Sequence, residues 1–111
     1  MNAKSEEFIL GLPEWADKYM KECIDKVKEV ATGSGKIVEV KERNIPTIEY
    51  FLHIWLPILN GESINRKTYY EWLKSEDPIK SNTIKVIDDK FKALATDIVA
   101  NEGKGIFYAK N

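Results

Sequence analysis

The sequence predicts a mainly α protein: a small helical domain with an N-terminal helix, a short extended strap or hairpin, a helix-turn-helix unit and a long C-terminal helix. Three observations predict it. Apolar residues recur at three- and four-residue steps along most of the chain. Only Lys36–Arg43 changes period, with Ile37, Val38 and Val40 set among Lys36, Glu39, Lys41 and Glu42. The stretch from Asn44 to Ser75 holds two short amphipathic patterns parted by Pro57 and by the turn signal Asn60-Gly61.

The chain has 111 residues and a formal net charge of −1. That is one domain's worth of chain, with a core of modest size. The near-neutral charge excludes a protein that coats nucleic acid through bulk basicity, so any contact with DNA has to come from a local patch or from several copies together. Cys23 is the single cysteine and His53 the single histidine, which excludes an internal disulfide and a Cys/His zinc site. No apolar run approaches the roughly 20 residues that span a bilayer. The N-terminus lacks the charged-then-apolar build of a secretion signal, so a cytoplasmic protein is expected.

Residues 1–12 read as a loose N-terminal arm whose Phe8, Ile9, Leu10 and Leu12 form a small apolar patch suited to packing. Residues 13–111 read as one helical domain. Pro13 suits the first turn of a helix, and Glu14 and Asp17 suit its positive end. Trp15, Tyr19, Met20, Cys23, Ile24, Val27 and Ala31 then mark an apolar stripe that runs to a stop at Thr32, before Gly33-Ser34-Gly35. The alternating charges on the other side read as a solvated face. Lys36–Arg43 reads as a strap or one strand of a hairpin, pairing with the chain that runs into Asn44 or with another subunit. Lys36, Lys41 and Arg43 could reach a DNA backbone beside the two-helix unit, but a solvated strap is the simpler account and is preferred.

Thr47 caps the next helix, and Ile48, Phe51, Leu52 and Trp55 share one face. Pro57 is expected to bend or stop that helix near Leu56. Asn65 is a good N-cap for the following helix, with Ile64 as an apolar anchor just outside it. Tyr69, Trp72 and Leu73 point one way; Arg66, Lys67, Tyr70 and Lys74 point the other. A short helix with an apolar back and a front of Arg, Lys, Thr and Tyr suits the major groove. The candidate DNA-binding set is therefore Asn65, Arg66, Lys67, Thr68, Tyr70 and Lys74. Any amphipathic surface helix also carries lysines outward, so spacing alone does not separate the two accounts.

Glu76-Asp77-Pro78 reads as a breaker, with Ser81 or Asn82 capping a long helix over about 81–101. Ile84, Ile87, Phe91, Leu94 and Ile98 form a seam along it. The seam either closes the domain's own core or joins subunits, which makes these five the candidate oligomerisation residues. Asn101-Glu102-Gly103-Lys104-Gly105 ends the helix and is no phosphate loop, since no strand leads in and the Lys-Ser/Thr ending is missing. No catalytic set is legible. His53 sits in an apolar helix without a nucleophile motif nearby, and the adjacent pairs Asp88-Asp89 and Glu6-Glu7 point in different directions on a helix. No enzyme activity, cofactor or metal site is expected.

At Ile45-Pro46-Thr47-Ile48-Glu49 and Asn65-Arg66-Lys67-Thr68-Tyr69-Tyr70-Glu71-Trp72 the chain resembles the small terminase subunits of tailed bacteriophages and prophages, in their short DNA-packaging-protein branch. The order of the flanking features is similar as well: Pro13-Glu14-Trp15, the charged piece from Gly35 to Arg43, Ser81-Asn82-Thr83-Ile84-Lys85, and the tail Ile106-Phe107-Tyr108-Ala109-Lys110-Asn111. The resemblance covers roughly residues 13 to 111. The chain departs from the family in the longer corner Pro57–Ser63 and in Asn65 where the family usually has Ser. The resemblance implies a non-catalytic protein that recognises viral double-stranded DNA for genome packaging. It further implies a homo-oligomer that partners a large subunit carrying the ATPase and nuclease. From the residues alone, a small helix-turn-helix transcription regulator and a protein-interaction module without DNA contact remain as alternatives.

Overall fold

Helix α1, Glu6–Ile24, opens the fold in a computed structural model that describes residues 6–102. The first five residues of the expected arm, Gly103 to Gly105 and the tail from Ile106 lie outside the described residues. The helix begins before Pro13, so most of the expected arm is structured. Phe8, Ile9 and Leu12 continue the stripe of Ala16, Tyr19 and Cys23, and all six are buried. Their burial offsets the backbone bond to Ile9 that Pro13 cannot donate. Gly11 accommodates the Trp15 ring, whose atoms lie 3.1 Å from where a Cβ would sit.

The same helix stops earlier than its apolar spacing predicts. It ends at Ile24, and Val27–Ala31 forms strand β1 rather than two more helical turns. Strand β2, Ile37–Lys41, pairs with it antiparallel, Val27 opposite Lys41 and Ala31 opposite Ile37. The β-branched residues at 27, 30, 37, 38 and 40 fit a pleated strand better than a helix. The turn decides the matter. Gly35 N–H donates to the Thr32 carbonyl, Thr32 N–H donates to the Lys36 carbonyl, and Gly35 takes a φ of 88°, which a β-branched residue would resist. Of the expected strap or hairpin the chain forms a complete hairpin, its second strand pairing with Val27–Ala31, and all ten strand residues are exposed.

The central helix starts where predicted. Thr47 Oγ1 accepts from Tyr50 N–H, and Tyr19 Oη accepts from Thr47 N–H. It comprises α2, Ile48–Tyr50, a π-helical turn, Phe51–Trp55, and α3, Leu56–Asn60. Pro57 neither stops nor sharply ends it. Leu56 N–H donates to the Phe51 carbonyl, five residues back, so the helix widens and Pro57 enters at the first turn of α3, where its missing N–H matters least. Gly61, at a φ of 77°, terminates α3. The corner is thus Gly61–Ile64, since most of the extra length is one more helical turn.

Helix α4, Arg66–Leu73, is followed by α5, Pro78–Glu102. The expected breaker does separate α4 from α5, and α5 starts within it, at Pro78, ahead of the expected caps. Asp77 Oδ1 accepts from Ile79 N–H and Pro78 takes the first helical position, an arrangement both residue types favour. Ser81, one of the two expected caps, lies inside the helix and donates its hydroxyl to the Asp77 carbonyl. Helices α1 and α4 both pack on α5. At the centre, Tyr19, Phe51 and Phe91 meet with ring centroids 5.5–5.6 Å apart, and the Phe51–Phe91 pair is edge-on at 86°. Such geometry adds roughly 0.5–1.5 kcal/mol per pair beyond area burial.

The seam of α5 is used inside this core. Ile84, Ile87, Phe91 and Ile98 are buried by the chain itself, and Leu94 packs partly buried against the same cluster. Ile84, Ile87, Phe91 and Ile98 therefore serve the chain's own core rather than a joint between subunits, because side chains already enclosed by their own domain have no face left to offer another copy; Leu94 keeps part of its surface. No described helix is long and apolar enough to cross a membrane.

Candidate nucleic-acid interface

Helix α4 is eight residues long and is held from behind. Tyr69 is fully buried, Trp72 nearly so, and Ile64 is buried just ahead of the cap. The Asn65 side-chain oxygen accepts from Lys67 N–H at 2.7 Å, which fixes the first turn. Lys80 lies over the Trp72 ring, 5.9 Å from its centroid, and ties the start of α5 to the same helix.

The front carries the remaining predicted residues. Arg66, Lys67, Tyr70 and Lys74 are exposed, and Thr68 is half-buried. Lys67 and Lys74 form no ion pair with any described residue. Glu71 is the one carboxylate on the helix, so the front is net positive. The structure thus brings the six candidates onto one short helix, with Asn65 as cap, Thr68 at the edge, and Arg66, Lys67, Tyr70 and Lys74 outward.

Arg66 is not idle. Its Nη1 lies 2.7 Å from Glu49 Oε2, and its guanidinium sits over the Tyr70 ring at 5.6 Å. Glu49 also lies 3.6 Å from His53 Nε2. His53, although set in an apolar stretch of helix, is exposed. Because Glu49 belongs to the first turn of α2, its bond to Arg66 draws the start of α4 back toward the start of the preceding helix. The bond thus bridges the corner Gly61–Ile64 from one helix start to the next. A surface pair of this kind is worth about 0–1 kcal/mol, so Arg66 can exchange Glu49 for another anion at little cost.

Arg43, one of the three cations placed within reach of DNA, is committed elsewhere. Its Nη2 lies 2.9 Å from Asp97 and its Nε bonds Glu102, and these contacts tie the chain after the hairpin to the end of α5. The two carboxylates hold its guanidinium above its ordinary pKa. Lys36 sits by the hairpin turn and Lys41 at the hairpin base, both exposed. The sequence does not reveal Glu49 as the partner of Arg66, because no local spacing relates them. Among the described residues no group of His, Cys, Asp and Glu is placed to hold a metal ion. Comparisons with protein-family models, with curated proteins and with solved structures find no match to this chain.

Proposed function

We propose that this chain is a small, non-catalytic DNA-binding protein that presents α4 to double-stranded DNA, acting as the small subunit of a phage-type terminase beside a large ATPase and nuclease subunit. The observation that carries the DNA reading is the two-sided build of α4. Its apolar back is anchored on α5, while Lys67 and Lys74 stand exposed, without an ion-pair partner among the described residues, beside Arg66 and Tyr70. Lysines and arginine neutralise phosphates, and the Tyr70 and Thr68 hydroxyls bond phosphate or base. An α-helix of this width fits a major groove about 12 Å across. The packaging role is supported by the ordered resemblance of the cap, helix and flanking motifs to that family. With a net charge of −1, one copy binds weakly, and several copies on one duplex give useful affinity.

The test is fluorescence anisotropy with a labelled duplex across a salt series. The intact protein is expected to bind at low salt. Arg66→Ala with Lys67→Ala is expected to weaken binding and to flatten the slope of log affinity against log salt by roughly 2, at about 0.9 for each phosphate that is no longer neutralised. No binding at low salt refutes the proposal. An exposed apolar stripe on the central helix, Ile54, Ile58 and Leu59, with Ile58 80% exposed, favours a protein-interaction module as the second reading. On that reading the double variant leaves every binding property unchanged.

A further inference from the structure

Every residue of the two hairpin strands is exposed, and the two edges of the hairpin differ. Backbone bonds join Glu42 N–H to the Lys26 carbonyl and Thr32 N–H to the Lys36 carbonyl. With Val30 opposite Val38 and Lys28 opposite Val40, the even-numbered residues bond inward across the hairpin. In an antiparallel ladder the alternate residues then turn their N–H and C=O groups outward. On β2 these are Ile37, Glu39 and Lys41. They form a free edge beside which no further strand lies among the described residues.

We propose that β2 is the dimerisation edge of this protein, pairing antiparallel with β2 of a second copy about a two-fold axis at Val40. A two-fold axis through an antiparallel pair must centre on one residue, so the registers are few. Centring on Glu39 sets Glu39 against its own copy, and centring on Lys41 sets Lys41 against its own copy. Centring on Val38 sets Glu39 against Ile37. Only the Val40 register places Glu39 opposite Lys41 of the second copy, twice by symmetry, at outward-bonding positions where the backbone groups are exchanged. Val40 then meets Val40 of the second copy at a non-hydrogen-bonded position, where side chains approach most closely.

Two further features of the hairpin favour this occupant. Within one chain Glu39 lies directly opposite Glu29, a like-charge pair that costs stability. The second copy's Lys41 supplies the missing cation. Val30, Val38 and Val40 share one face, each between 36% and 39% exposed, and pairing merges this face with its symmetry mate into one apolar surface. No register of the β1 edge pairs opposite charges, since centring on Glu29 opposes glutamates, centring on Lys28 opposes lysines and centring on Val30 sets Glu29 against Ala31. The pairing is independent of what α4 meets, so it is tested without DNA.

The experiment is sedimentation equilibrium of the full chain over a wide concentration range, with circular dichroism as the check on folding. The wild type is expected to dimerise. Lys41→Glu is expected to weaken the dimer at least about tenfold, because both cross-strand pairs become repulsive. Glu39→Lys alone weakens it likewise, and the charge-swapped double variant Glu39→Lys with Lys41→Glu restores it. Glu39→Pro removes an outward N–H that the single hairpin does not use, so a folded monomer is expected. A wild type that stays monomeric at millimolar concentration overturns the proposal. So does a dimer indifferent to Lys41→Glu, or a double variant no tighter than the single ones.

Discussion

Replacing Tyr69 by Phe should make the protein more stable. The Tyr69 side chain is fully buried, and its hydroxyl, itself screened from solvent, forms no hydrogen bond with a described residue. An unsatisfied buried hydroxyl costs about 1–3 kcal/mol. Removing the oxygen leaves a void of roughly 10 Å³, which costs back about 0.2 kcal/mol at the usual rate for cavity volume. The net gain is therefore about 1 kcal/mol or more, a rise in Tm of roughly 4 °C or more for a domain of this size. Urea denaturation followed by circular dichroism measures it, with an unchanged m-value as the sign that compactness is the same. Burial pushes the Tyr69 phenol above its ordinary pKa, and the Asp88 carboxylate adds to the shift, both in keeping with a hydroxyl held neutral and without an acceptor. A loss of about 1 kcal/mol on Tyr69→Phe would refute the reasoning, because it would mean the hydroxyl is bonded to Asp88 or to a trapped water. DNA affinity is expected to stay unchanged, since Tyr69 faces α5 and not the front of α4.

Three further outcomes follow from the same packing. Pro13→Ala should stabilise by about 2 kcal/mol in thermal or urea unfolding, because it restores the backbone donor to Ile9 within α1. Ile87→Ala should destabilise by about 2–5 kcal/mol, since Ile87 is fully buried in the chain's own core; sedimentation of the folded fraction should show the wild-type assembly state, as the side chain touches no second copy. Stability should also fall in alkali: burial raises Tyr19 to about 12 and raises Cys23 in the same sense. The unfolded chain then loses these protons at lower pH than the folded one, so the contribution is complete below about pH 9 and is lost as pH climbs toward 12, which a pH series of urea midpoints reads directly.

The parts of the fold legible in the sequence are those set by local chemistry. Thr47 and Asn65 cap their helices as their side chains dictate, and Ile64, Tyr69 and Trp72 turn inward at helical spacing. The structure departs from the sequence reading where two local rules compete. Val27 and Ala31 fit both a helical stripe and a strand, and the choice is made by a partner strand ten residues on and by Gly35 in a left-handed turn. Asp77-Pro78 serves equally as a breaker and as a helix start, and the seam residues Ile84 and Ile87 settle it by needing a helix to carry them. Pro57 reads as the end of a helix; the π turn before it is not legible, because register slips leave no compositional mark. At the candidate site the exposed cations are legible in the sequence, whereas the Arg66–Glu49 bond is not.

The use of α5 constrains how copies of this chain can meet. A seam of Ile84, Ile87 and Phe91 that is buried in a core on which α1 and α4 both pack is unavailable to a coiled-coil partner. Opening it would expose side chains worth about 1.5–3 kcal/mol each, more than a marginally stable small domain can lose. Assembly therefore has to use a surface that is already exposed. The hairpin is joined to the helical body beside Arg43, whose bonds to Asp97 and Glu102 anchor the chain where β2 ends. A pairing at β2 would thus be transmitted to the end of α5 through a fixed joint, and two α4 helices would be set at a defined separation on the duplex. Cutting that joint with Arg43→Ala should leave single-copy DNA contact intact while loosening the spacing between copies.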